Sequence, residues 1–127
     1  MNILILDVYP KVSYRISKDQ NGSYGTANNY GNGFVAQLLK RLVKSSIDFP
    51  QLFVVQTCGE LINLGHKVDY STELDLTKDY DLYLVPSSIV CHETEIKFVK
   101  LLKEKNKKII VIGPFATSNS DPYLMAG

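Results

Sequence analysis

The chain has 127 residues, enough for one domain and too few for two, so residues 1–127 are taken as a single domain. Hydrophobic residues make up 45% of it, which excludes a disordered chain and allows a core. Its 14 basic and 13 acidic side chains give a formal charge of +1, so charge gives no reason to expect nucleic acid or an anionic membrane as a partner.

The first residues, MNILILDVYP, are too short an apolar run for a signal peptide, and Asp7 interrupts them. No run approaches the roughly 20 apolar residues of a membrane span. Cys58 and Cys91 are isolated thiols, so the sequence indicates neither a disulfide framework nor a zinc site. The default prediction is a cytoplasmic protein.

Continuous apolar runs predict strands that are covered on both faces. They are residues 2–6 (NILIL), 80–85 (YDLYLV) and 108–112 (KIIVI). A weaker run at 67–71 (KVDYS) predicts an edge strand.

Helical patterns fall between these strands. In 34–44, apolar side chains recur at helical spacing, and lysines and an arginine carry the polar side. A second helix is expected to begin near Asp48 and Gln51, which have capping-box spacing, and to end at Gly65. Its predicted buried residues are Leu52, Val55, Cys58, Leu61 and Ile62.

A third helix is predicted at about 92–105, with glutamates in its first turn and lysines in its last, as the helix dipole favours. Strands that alternate with helices predict an α/β fold with a flavodoxin-like or Rossmann-like doubly wound parallel sheet. Because the chain stops at SDPYLMAG, we expect the sheet to be truncated before its fifth strand. The strand 108–112 would then have an open edge, and the chain is expected to self-associate through it.

Three segments poor in charge should meet beyond the carboxyl ends of the strands, where open α/β sheets bind ligands. They are the loop 7–33, PSSIVCH at 86–92 and GPFATSNS at 113–120. The tyrosines of the first loop offer flat apolar area with a polar tip, which suits a large and partly polar ligand. A surface loop without function is the alternative.

Other motifs and single residues indicate a function less clearly. Residues 31–36 match G-x-G-x-x-A, but some two dozen residues separate them from the first strand, whereas a dinucleotide fingerprint follows its strand directly. The sequence contains no P-loop motif and no arrangement typical of a catalytic triad. For His92, at the start of the third helix beside Cys91, a solvated helix start is favoured over a role as ligand or acid/base. His66 is expected at the surface, and Cys58 in the core.

The assembled motifs resemble the amino-terminal cobalamin-binding (vitamin B12-binding) domain of cobalamin-dependent radical S-adenosylmethionine enzymes. The matching segments are NILILDVYP, YGTANNYGNG, LINLGHKVDY, DYDLYLVPSSI and KKIIVIGPFATSNSDPYL. Ser87-Ser88-Ile89 resembles the family's S-x-L element near the nucleotide tail, and Gly113-Pro114 stands where a glycine pair is common. Asp7-Val8-Tyr9 lacks the histidine of D-x-H-x-x-G, so the cobalt would meet water or a non-coordinating side chain.

The resemblance implies a cobalamin cofactor, and hence metal ion binding, in a chain that is not catalytic alone. The radical half with its C-x-x-x-C-x-x-C motif, 4Fe-4S cluster and S-adenosylmethionine is absent from the sequence. The residues it assigns to the cofactor are Val8, Tyr9, Tyr24, Gly25, Thr26, Asn28, Gly31, Pro86, Ser87, Ser88, Ile89, Gly113, Pro114, Phe115 and Ala116. A nucleotide- or flavin-binding domain, or a flavodoxin-like interaction module without a cofactor, stays open as an alternative.

Overall fold

A computed structural model describes residues 1–9, 33–35, 38, 51–89 and 91–127. Residues 34, 35 and 38 are helical and exposed. The other elements, in chain order, are β1 (Asn2–Leu6), α1 (Leu52–Asn63), β2 (Lys67–Ser71), β3 (Leu82–Pro86), α2 (His92–Glu104), β4 (Ile109–Ile112), α3 (Pro114–Ser118) and α4 (Asp121–Leu124).

The strands form one parallel sheet in the order β2-β1-β3-β4. β1 therefore lies between the strand that follows it in sequence and the one after that, as in flavodoxin-like sheets. This confirms the predicted α/β class and parallel doubly wound sheet. Within the described ranges the sheet has four strands, in keeping with a flavodoxin-like fold that lacks a fifth.

Helices cover the sheet on both faces. On one face, Leu4, Leu6, Tyr83 and Val85 pack with the inward side of α2. On the other face, Ile3, Ile5 and Leu84 pack with α1. Because successive strand residues point to opposite faces, the continuous apolar runs of β1 and β3 supply both layers.

The prediction of which residues of α1 are buried is partly wrong. Val54 is the buried residue of this helix, with Phe53, Cys58 and Leu61 packed around the same cluster, whereas Leu52, Val55 and Ile62 are exposed. Apolar residues occupy more than one side of α1, so their spacing alone does not define which side meets the sheet. Gly65 ends the helix with a φ of 81°, as predicted.

Segment 113–120, expected as a loop, instead contains the helix α3. Pro114 occupies its first turn, where a missing N–H costs little, and the Thr117 hydroxyl donates to the Gly113 carbonyl at 3.0 Å. At α1, Gln51 precedes the helix without a capping side-chain bond, and Asp48 lies outside the described residues. In the part of the chain that the structure describes, no helix is long and apolar enough to cross a bilayer.

Candidate functional site

The carboxyl ends of parallel strands share one edge of the sheet, here called the rim. It is formed by residues 7–9 after β1, 86–89 at the end of β3, and 113–116 after β4. A hydrogen bond of 2.9 Å from the Ala116 N–H to the Ser87 hydroxyl joins the second and third segments. The rim thus brings together Val8, Tyr9, Pro86, Ser87, Ser88, Ile89, Gly113, Pro114, Phe115 and Ala116. The other predicted residues, Tyr24, Gly25, Thr26, Asn28 and Gly31, lie outside the described residues.

Asp7 is a fully buried carboxyl group at the rim. Its Oδ2 accepts a hydrogen bond of 2.9 Å from the Tyr70 hydroxyl and a longer one of 3.4 Å from Tyr9. Burial, and then the negative charge of Asp7, raise the pKa of the Tyr9 phenol well above its usual value. Tyr9 therefore remains a neutral hydrogen-bond donor at physiological pH. The bond from Tyr70 ties the end of β1 to β2.

Gly113 lets the third rim segment lie against the second and against α1. Its φ is 112°, a conformation that favours glycine. A Cβ atom here would lie 2.9 Å from Cζ of Phe53 and 3.1 Å from Oγ of Ser87. The space that the missing side chain leaves is therefore taken by a ring of α1 and by a rim serine.

Glu95 forms the second buried carboxyl site, directly beneath the rim. The backbone N–H and the hydroxyl of Ser88 lie 3.1 and 3.0 Å from its carboxylate oxygens, and the Tyr123 hydroxyl lies 2.6 Å away. The Cys91 N–H donates to the Ser88 hydroxyl at 3.1 Å. Burial and the Glu95 carboxylate raise the pKa of Tyr123. The N–H and the hydroxyl of Ser88 therefore hold the loop in place and do not face the outer surface.

The sequence did not predict that Glu95 is a buried hydrogen-bond acceptor. Its position in the first turn of the helix indicated only a favourable interaction with the helix dipole. A signal was present, because Glu95 shares the i, i+4, i+7 stripe of Val99 and Leu102, the other buried residues of α2. A carboxyl group inside such a stripe indicates a buried polar site.

His92 contacts two rim segments at once. Its Nδ1 lies 2.7 Å from the Ile89 carbonyl oxygen, and its ring centroid lies 5.3 Å from that of Phe115. Because a carbonyl oxygen only accepts, Nδ1 carries the proton, and in the neutral ring Nε2 keeps its lone pair. The structure gives Nε2 no hydrogen bond to any described residue. This arrangement, with the second nitrogen held by a backbone carbonyl, is typical of metal-ligating histidines.

The described residues contain no group of three or more His, Cys, Asp or Glu side chains able to hold a metal ion. A cavity of about 350 Å³ lies between α2, β4 and α4 and reaches the rim at Ala116.

No protein-family model, curated protein or solved structure matches this chain.

Proposed function

We propose that this chain binds a cobalamin cofactor, as the N-terminal domain or a fragment of a radical S-adenosylmethionine methyltransferase-like protein. The observation that carries the proposal is the rim itself. Three segments with the sequence features of the family converge at the carboxyl edge of a flavodoxin-like sheet, where ligands of such sheets bind.

The surface of the rim suits a broad and nearly neutral ligand. Ile89 is 72% exposed and Pro114 is also exposed, so apolar groups face outward. The buried hydroxyls of Ser87 and Ser88 are bonded to Ala116, Cys91 and Glu95, which fixes the loop backbone in place. A preformed surface lowers the entropy cost of binding.

The residues present fit a cofactor whose metal accepts a histidine nitrogen. Whereas the sequence indicates water or a non-coordinating side chain at the cobalt, His92 would hold the metal through Nε2, because its Nδ1–H is bound by the Ile89 carbonyl. Ile89, Pro114 and Phe115 would contact the macrocycle. When bound, cobalamin supplies the methyl-transfer chemistry itself, and the protein binds and orients it. The 4Fe-4S cluster and S-adenosylmethionine would belong to a separate radical domain.

The proposal is tested by incubating the protein with hydroxocobalamin, desalting it and measuring the retained corrin absorbance. We expect retention by the wild type and by Ile62→Asp, since Ile62 is exposed near the far end of α1, away from the rim. Ile89→Asp should retain much less, because it places a charge on the apolar contact surface. Loss of retention in the wild type, with circular dichroism unchanged, would contradict the proposal.

The alternative is a nucleotide- or flavin-binding domain, which the same rim position also favours. A thermal-shift comparison of hydroxocobalamin with NAD, FMN and ATP separates the two functions. Stabilisation by a nucleotide alone would favour the alternative, and stabilisation by none of the four would favour a flavodoxin-like interaction module without a cofactor.

A further inference from the structure

Within the described residues, the outer edge of β4 is apolar and has no partner strand. Among the described strands, β4 pairs only with β3. Its residues Ile109–Ile112 read IIVI and carry no charge. Ile110 is 49% exposed on the α1 side of the sheet, and Ile109 and Val111 are partly exposed on the α2 side. Such an edge is a template for pairing with another strand.

The direction of the backbone groups of β4 follows from its bonds to β3. The carbonyls of Lys108 and Ile112 accept hydrogen bonds from Tyr83 and Ser87 at 2.9 and 2.7 Å. Because backbone groups alternate sides along a strand, Ile110 also points toward β3. The N–H and C=O groups of Ile109 and Val111 therefore point away from the sheet, toward the open edge.

The opposite edge of the sheet is protected in a way that β4 is not. β2 reads KVDYS, with exposed Lys67 and Asp69 in the strand. Charges on an edge strand oppose pairing with another chain. Association through the two different edges, which would build open filaments, is therefore disfavoured compared with β4 meeting a copy of itself.

We propose that the β4 edge pairs antiparallel with the β4 edge of a second copy of this chain, about a two-fold axis at Ile110. This register sets Ile109 opposite Val111 of the copy as a hydrogen-bonded pair, so all edge-facing groups of Ile109 and Val111 are satisfied. Ile110 meets its own copy as a non-hydrogen-bonded pair, in which side chains lie closest. Residues opposite each other also share a face, as the pleat requires.

The charges next to β4 favour this orientation. Lys107 and Lys108 precede the strand, and Lys107 is paired with Asp79 at 2.6 Å, so a parallel pair would set the exposed Lys108 beside its copy. In the antiparallel register, Lys108 lies opposite Ile112 and Lys107 opposite Gly113, at the two far ends of the interface. Ile109 and Val111 also line the apolar cavity under α2, together with the exposed Leu124, so pairing would extend the apolar surface across the two-fold axis.

The test is sedimentation equilibrium of the 127-residue chain over a wide concentration range. We expect a reversible monomer–dimer equilibrium for the wild type. Ile110→Lys and Ile110→Glu should each weaken the dimer about tenfold or more, because like charges meet at the axis. An equimolar mixture of the two variants should restore the dimer, since opposite charges then meet.

A cysteine pair checks the register without adding charge. Oxidised Ile110→Cys should form an interchain disulfide, because non-hydrogen-bonded partners have Cα atoms within disulfide range. Leu76→Cys, at a site 47% exposed but outside the strands, is the matched control and should not cross-link. A monomer at all concentrations, assembly beyond a dimer, or a dimer unaffected by Ile110→Lys would overturn the proposal. None of these outcomes depends on cobalamin binding.

Discussion

The Tyr123 hydroxyl donates to Oε2 of Glu95 at 2.6 Å, and both side chains are buried. The bond ties α4 to the first turn of α2. Since Ser88 also binds this carboxylate, the end of β3 depends on the same buried group. The Glu95 site therefore couples the C-terminal helix to the rim, and its removal should be costly.

Tyr123→Phe should lower the free energy of unfolding by about 1–3 kcal/mol, because a buried carboxylate loses a donor. Urea denaturation monitored by circular dichroism measures the change. Tyr80→Phe is the control, since the Tyr80 hydroxyl bonds the exposed Asp69 at 2.8 Å, and it should have a smaller effect. Equal losses in the two variants would contradict the importance of burial.

Alkaline pH should destabilise the fold. The pKa values of Tyr9 and Tyr123 are raised by burial and by their carboxylate neighbours, and that of Tyr80 is raised to about 12, chiefly by its bond to Asp69. A raised pKa means that the folded state holds these protons more tightly, so the associated stability is present below the ordinary value near 10 and falls as pH rises above it. Denaturation midpoints measured between about pH 8 and about pH 11, a range that brackets the ordinary tyrosine pKa, should decline above about pH 10. The decline should be less steep in Tyr123→Phe.

Gly113→Ala should destabilise the fold by about 1–3 kcal/mol, because the residue has a positive φ and a Cβ would meet Phe53 and Ser87. Gly59→Ala is a matched control. Gly59 lies inside α1 with open space around it, so alanine there should raise stability by about 0.5–1 kcal/mol. Thermal melting of both variants measures the contrast. If the Gly113→Ala variant is more stable than the wild type, the rim differs from the structure described.

His92→Ala should change the metal spectrum without abolishing corrin retention. Electron paramagnetic resonance of bound cob(II)alamin should show a nitrogen splitting in the wild type that changes when the histidines of the protein carry the heavy nitrogen isotope, and the variant should lose this isotope effect. His66→Ala removes the other histidine of the chain, which lies between α1 and β2, and should leave the spectrum unchanged. Retained corrin with identical spectra in all three proteins would exclude His92 as the ligand while leaving the binding function intact.

Much of the fold could be predicted, because the spacing of apolar residues and the signals for helix ends are local properties of the sequence. The strands, the order of elements and the stop at Gly65 follow directly from such patterns. The buried side of α1 could not be predicted, because Leu52, Val55 and Ile62 are as apolar as the residues that meet the sheet. Helix α3 was missed because its stabilisation includes a bond from Ala116 to Ser87, far away in sequence.

The site was predictable in position but not in detail. The residue types of 86–89 and 113–116 indicate a rim segment, and the parallel sheet brings these segments together. The inward direction of Ser87 and Ser88 depends on Glu95 and Ala116, which no sequence spacing links to them. The bond between His92 and Ile89 likewise depends on the backbone path of the turn that precedes α2.

The contact between Phe53 and Gly113 has an evolutionary consequence. Because the ring occupies the volume of a side chain at position 113, neither position can change independently without a clash or a void. Phe53→Leu should partly restore the stability lost in Gly113→Ala, because the smaller side chain relieves the clash with the new Cβ. The cost of the positive φ should remain. Helix α1 and the rim are therefore expected to accept substitutions as an epistatic pair, so natural variants at one position should constrain those at the other.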